Sequence, residues 1–561
     1  MIIKVLYIFL YFVVFLFVSV TPTNISLNIG FDRHVCYLRT LDYIGNHTLP
    51  SDDPVFFRNP AGQPLNTKED LTLTLDGCNR LCGPKRMWYQ DIGPRLSIWL
   101  IPVLLLISNV ELSPLDKRRF AAILHLLGDP IDSLWSLLHK LDSWDRCLDL
   151  AEERYGAACP RCQRIIATIF AGFEEMEGPR IKSERYFDAL VHQRDPVSNF
   201  QLWRQTAVEL ADSRTDEFAR SAFAIFLYAF QLIANFVKEL GGGSSSPPGG
   251  RIATGVFLSW LLPMVLLSNA IGNFPARRTC YDALSRFAER MDDPLQIPRS
   301  RSVVVPSMSM LTRTSWTDYS HSLGWSGAIY TFRPWKWQHV SNSSNRRRTA
   351  RLIFLLAITP LCIGFMGGFA ILWYSLPVGL NCRHTWLCGI FLAWSLSTFL
   401  TWYSYRPQLA TGKFHWRFVL VKDTCIAVPS LLVIFLSACG VFNFCYCWGG
   451  FLFSPANANV PLNSDSFYKH NDRTTYPAIV GVCTAFQLVM FGVIVWIWRR
   501  GLKILRWSEK VRSEEWAKVS NRETCNRCIL ETELSRPDAG SAGKGSTTYI
   551  HEVELNRLVT P

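Results

Sequence analysis

The chain has 561 residues and a formal net charge of +13; 49% of it is hydrophobic and 18% charged, against roughly 25% charged in soluble chains. Its apolar residues come in blocks of about 17 to 25, the length that crosses a hydrocarbon core as a helix, which excludes an ordinary soluble globular protein. Lys and Arg crowd the ends of those blocks, as in Arg346-Arg347-Arg348 with Arg351 and in Arg499-Arg500, so the excess charge argues for cytoplasmic loops rather than a nucleic-acid partner.

Residues 1–20 carry one Lys and then a long apolar run, the build of a signal peptide or, since the small-residue cleavage signal around Ser19 is poor, of an uncleaved anchor. Either puts residues 21–93 across the membrane. Asn24-Ile-Ser26 and Asn46-His-Thr48 are then glycosylation sequons on the correct side. The same segment holds Cys36, Cys78 and Cys82, and alternation of Leu71, Leu73 and Leu75 with Thr predicts one short strand. So small a segment in an oxidising compartment needs a disulfide. Three cysteines leave one over, for which Cys382, Cys445 and Cys447 in later exposed loops are candidate partners; the connectivity stays open.

Residues 94–111 form the first internal span, with its core at residues 96–110. Six more spans are expected near residues 222–237, 252–272, 352–377, 385–405, 418–444 and 477–498, with Trp and Tyr gathered at several ends as an interfacial belt. The second is the least apolar, because Gln231 and Asn235 lie inside it; residues 222–272 read as a hairpin around a Gly/Ser/Pro connector. Loop charge sets the direction. The loop from residue 273 to Arg351 holds 13 Lys or Arg against five acids, the short loop from Arg406 to Arg417 holds three, and the tail from Arg499 holds twelve. The intervening loops offer Arg383 alone and the pair Lys469 and Arg473. The expected fold is all-α, a polytopic protein of about seven spans after the signal sequence, N-out and C-in, with a cytosolic helical insertion and a four-helix transmembrane region at 352–498.

The insertion, residues 112–221, shows two helix starts, Ser113-Pro114-Leu115-Asp116 and Asp129-Pro130-Ile131-Asp132. Leu134, Leu137, Leu138 and Leu141 then follow at helical spacing. Residues 273–351 are basic, rich in Ser and Pro and poor in periodicity, so much of this loop is expected to be disordered; Arg333-Pro-Trp-Lys-Trp337 reads as an interfacial anchor, and Asn342 as a sequon on the wrong side. The tail, 499–561, begins as a basic amphipathic segment that suits the bilayer surface and ends in Gly/Ser-rich sequence.

Candidate chemistry is sparse. Cys159-Pro-Arg-Cys162 and Cys525-Asn-Arg-Cys528 would together supply four thiolates for zinc, and Cys147 with His139 could join the first pair, but free reduced thiols are the default reading. Asn109, Asn269 and Gln487 are intramembrane polar residues, expected to bond between helices or to line a ligand path. Lys422 and Asp423 sit near a span end, and the lack of a carboxylate or cation mid-span counts against proton-coupled transport. Gly364 and Gly368 form a small-residue packing pair. No phosphate loop, HExxH, GxSxG or dinucleotide fingerprint occurs, so the chain reads as a non-enzyme without cofactor or metal.

Three strings, DPVFFRNPAGQPL at residues 53–65, GPRLSIWLIPVLLLISNVELSPLDKRRF at residues 93–120 and DPIDSLWSLLHKLDSW at residues 129–144, resemble uncharacterised multi-pass integral membrane proteins of filamentous (ascomycete) fungi. The resemblance covers mainly residues 36–300 and implies no site residue. The expectation is a membrane-embedded interaction or scaffold protein whose partners are the lipid bilayer and a cytosolic protein bound through 112–221. The alternative is a receptor-like or transport protein with a ligand path between the spans.

Overall fold

The computed structural model describes residues 33–46, 57–58, 71–82, 103–108, 110, 119–155, 160–176, 200–214, 218–236, 248–271, 277–292, 343–375, 378–404, 413–438, 444–449, 459–462 and 471–505. The signal segment 1–20, Asn24, Asn109, Asn342, Cys159, Cys525, Cys528 and the 333–337 anchor lie outside them, as do most of 53–65 and the tail beyond 505.

Five helices are long and apolar enough to cross a membrane, over Gly249–Ile271, Arg351–Trp373, Cys382–Ser404, Phe418–Ser437 and Arg473–Ile497. They agree with five of the expected spans. Large apolar side chains such as Leu355, Met366, Phe399, Leu432, Val489 and Trp496 stay exposed on them, as side chains facing lipid do. Of the two other expected spans, only residues 103–108 of the first are described as helical. The second is a 19-residue helix, Phe218–Phe236, that turns Phe223, Phe226, Phe230 and Ile233 outward.

At one end sits a small disulfide-bonded module. Helix α1 (Arg33–Asn46), strands β1 (Phe57–Arg58) and β2 (Thr72–Thr74) and helix α2 (Leu75–Cys82) come from the N-terminal segment. The expected strand is therefore present, and it is the middle of a three-stranded antiparallel sheet: Leu73 pairs with Phe57 on one side and with Val460 of β3 (Asn459–Pro461) on the other. This sheet is an addition to the all-α expectation. Cys36 bonds Cys82, Cys78 bonds Cys445, and Cys382 bonds Cys447. The N-terminal segment is thus tied to the loop between two spans and, through it, to the start of a third. Asn46 is the last residue of α1.

Helices α3 (Arg119–Gly128), α4 (Pro130–Tyr155), α5 (Pro160–Met176) and α6 (Phe200–Asp212) follow, then α7 (Phe218–Phe236). Next comes the run α8 (Pro248–Phe257), a 3-10 turn at Leu258–Trp260 and α9 (Leu261–Ile271), whose span is enclosed along its whole length. Helix α10 is Arg277–Asp292. The remaining long helices are α11 (Ser343–Trp373), α12 (Cys382–Ser404), α13 (Lys413–Ala438) and α15 (Tyr476–Ile497), with the short α14 (Cys445–Trp448) between the last two and α16 (Arg499–Leu505) at the end.

Two packing features position the site. First, α3 to α6 share one continuous hydrophobic core with the span helices. The aromatic cluster Phe170, Phe173, Trp203 and Phe287 holds α5, α6 and α10 together, with Trp203 and Phe287 4.9 Å apart edge to face. This places a helix where the sequence suggested an aperiodic loop: Cys280, Ala283, Leu284, Phe287 and Ala288 recur at helical spacing and are all buried, a stripe masked by the surrounding Arg and Asp. Arg286 adds an ion pair to Glu209. Second, the small-residue pair works inside the molecule. A Cβ on Gly364 would stand 2.7 Å from the Phe257 carbonyl, and one on Gly368 3.0 Å from that of Ala253, so α11 and α8 approach at backbone distance.

Candidate functional site

Among the described residues, a concentration of buried charge lies where α3, α4, α12 and α13 meet. It begins with a local sequence device. Gly128 ends α3, Pro130 starts α4, and Asp129 between them caps the new helix by accepting the Asp132 amide at 3.1 Å. Glycine is needed at 128 because a Cβ there would lie 2.6 Å from the Asp423 carbonyl oxygen and 2.9 Å from its Cα. The elbow therefore abuts α13 where Lys422 and Asp423 project.

Asp129 does more than cap. Its Oδ1 accepts the Thr398 hydroxyl at 2.6 Å, and its Oδ2 accepts Thr401 at 2.7 Å and the Lys422 ammonium at 2.9 Å. Lys422 Nζ also donates to Ser397 Oγ at 2.6 Å and pairs with Asp423 Oδ1 at 2.6 Å. Ser397, Thr398 and Thr401 share one face of α12 at helical spacing. Asp423 Oδ2 lies 2.8 Å from His125 Nδ1, whose other nitrogen lies 3.2 Å from Asp132 Oδ2. A ring with a carboxylate on each nitrogen uses both N–H donors, which fits the imidazolium form. Lys422, Asp129, His125 and Asp132 have fully buried side chains, and Asp423 is 1% exposed.

The cluster adds burial and partners to the sequence reading. Lys422 and Asp423 do lie near the start of their span, four and five residues past Phe418; they are deeply buried and meet Asp129 of the elbow and His125 of α3, which Asp132 of α4 holds in turn. Charges in such surroundings persist only when paired. The signal that could have found the site was Lys422-Asp423 inside the apolar run VLVKDTCIAV together with a capping Asp before Pro130. Chemically, three oxygens within 3 Å of Lys422 Nζ, with the Ser397 carbonyl at 3.4 Å, engage the three donors of an ammonium, so the cage holds a cation tethered to its own helix.

Of the expected intramembrane polar residues, Asn109 lies outside the described residues, and Gln487 and Asn269 have different surroundings. Gln487 donates to Ser259 Oγ at 3.0 Å and to the Pro360 carbonyl at 2.8 Å, linking α15 to the 3-10 turn and to α11. Asn269 is buried ten residues beyond Ser259, and neither of its amide atoms, nor those of buried Gln231 on α7, has a partner among the described residues. No metal-ligating group of three or more is found among the described residues. Cys147 is buried in α4, and Cys162 lies in α5.

A second charged contact fixes the end of the last span. Arg500 pairs with Glu152 at 2.9 Å and Asp149 at 3.2 Å on α4, and Gly501 packs against the Asp145 amide and the Leu141 carbonyl. Burial and the neighbouring Asp149 push the Asp145 carboxyl up to about 6 against the pull of Arg500. Burial also raises Asp142 and Asp149.

Compared with protein-family models, curated proteins and solved structures, the chain gives no match.

Proposed function

We propose that the protein is a membrane-embedded interaction scaffold, threaded N-out and C-in by about seven spans behind a signal sequence, with α5, α6 and α10 presented to cytosolic protein partners. The observation that carries this reading is the cage around Lys422. Its cation is covalently part of α13, and its carboxylates hold α3 and α4 onto the spans, which is the chemistry of a fixed joint rather than of an ion path. The orientation is supported by the cysteines. All six bonded ones lie in the N-terminal segment or at the start of α12 and the loop after α13, at one end of antiparallel helices, as an oxidising compartment on that side requires. Buried Cys147 and Cys280 belong to the helices of the opposite end. The outward Phe side chains of α7 suit a lipid-facing sixth helix.

The test places a photo-crosslinking amino acid at Gln201 or Gln205, both exposed on α6, in the full-length protein in its native membrane. Discrete cytosolic adducts are expected at one or both positions. A protein that forms none, and that moves protons or small ions when reconstituted in liposomes, would overturn the scaffold reading. Transport is the second reading, favoured by the 3-10 break in the enclosed span and the hydrogen-bonded Ser259 and Gln487 beside it, since broken helices line binding sites in transporters.

A further inference from the structure

We infer that α3 is a membrane-inserted half-span, not part of a cytosolic domain, and that lipid chains are the partner of its outer face. The placement follows from which residues it meets. The Trp394 indole donates to the Leu127 carbonyl at 2.9 Å, while Asp129, two residues on, meets Thr398 and Thr401. From Leu127 to Asp129 the chain therefore runs in the direction of α12, towards its Ser404 end.

Depth follows from the same contacts. Trp394 lies ten residues before Ser404, roughly 15 Å along the axis at 1.5 Å per residue. That is about the middle of a 30 Å hydrocarbon core. The last turn of α3, held between the Trp394 indole and Asp423, is thus already inside the core, and because the helix runs towards the Ser404 end, its earlier turns lie deeper. Helix α3 packs along α13, with Gly128 against the Asp423 backbone. Composition agrees: RFAAILHLLG carries no acid, and its one internal polar side chain, His125, is held by Asp423 and Asp132. Ile123 and Leu127 are partly exposed, which gives lipid a face to cover. The chain then runs towards the inner end of the bundle at the Asp129-Pro130 elbow.

A depth measurement on the full-length protein in nanodiscs tests this. A small fluorescent amino acid replaces Ile123, and quenching is compared between lipids spin-labelled near the chain end and aqueous iodide. Chain-end lipid should quench strongly and iodide weakly, with a probe at Leu127 reporting a position nearer the inner surface than the probe at Ile123. Iodide quenching without lipid quenching at either position would overturn the inference, as would a Leu127 probe lying farther from the inner surface. The Leu127 position also serves if the Ile123 variant does not fold. Neither readout involves a bound partner or ion flux, so the result stands apart from the choice between scaffold and transport.

Discussion

The two ends of the bundle are fastened by different means. The disulfide-linked end has a small apolar cluster, with Leu71, Leu73, Trp448, Val460 and Leu462 around the bonded cysteines, and it is closed by covalent bonds. The other end shares the main core and is closed by charges buried from solvent. A small cluster buries too little surface to hold a segment by packing, so cross-links that restrict the unfolded chain supply the difference. At the charged end, apolar burial is ample but not directional. The ion pairs add little net stability over apolar side chains, yet they penalise every arrangement that leaves one partner alone. Covalent bonds there supply strength, and charges here supply register.

The largest effect should come from breaking register. Lys422→Met strands Asp129 and Asp423 without their shared cation and should cost about 3–5 kcal/mol, read as loss of monodisperse protein on heating in detergent, while the bonded end keeps its protection from hydrogen exchange. A stable variant would mean that the cage is dispensable. Next, Cys78→Ser removes the bond between the N-terminal segment and the loop after α13. Loss of about 2–5 kcal/mol is expected, confined to residues 33–82 and 444–462, with α3 and α4 unchanged in exchange; loosening of α3 would show that the two ends are coupled. Gly128→Ala pushes the elbow off Asp423 and should cost about 1–3 kcal/mol by overpacking, seen as a lower midpoint with normal expression.

The smallest effect is a pH dependence. With the Asp145 carboxyl raised to about 6 in the folded protein from a usual value near 3.8, the docked state binds the extra proton. The associated stability is complete below the usual value and is lost as pH rises through about 6. Exchange protection of residues 499–505, corrected for intrinsic rates, should therefore increase on going from pH 7.5 to pH 5.5. Asp145→Asn should flatten that response; an unchanged slope would assign it to Asp142 or Asp149.

Much of the scaffold was legible in the sequence because a span announces itself locally. Five apolar blocks, the Asp129 cap, the strand at Thr72–Thr74 and the Gly364–Gly368 pair all depend on neighbours within a few residues. The charge cluster does not: Lys422 and Asp129 are 293 positions apart, and hydropathy averaged along the chain cannot show that a charge near a span end faces inward. Helix α10 escaped for a related reason. Its apolar stripe is sound, but Arg277, Arg278, Arg286 and Arg290 dilute it, and only the aromatic face of α5 and α6 makes its burial evident. The depth of α3 was hidden because ten residues are too few for a span.

The enclosed helix over Gly249–Ile271 bears on how the protein is made. In the finished bundle it touches almost no lipid, yet α11, α12 and α15, which wall it in, begin some 70 to 205 residues later in the chain. During synthesis it must wait beside α7 with the Gly-facing groove at Ala253 and Phe257 uncovered. Insertion and assembly are thus separate events for this span, and α15, the last of the walls to be synthesised, brings the Gln487 amide that closes over Ser259. A nascent chain halted before α15 would hold that groove open, and a membrane chaperone recognising a half-built bundle would find it there.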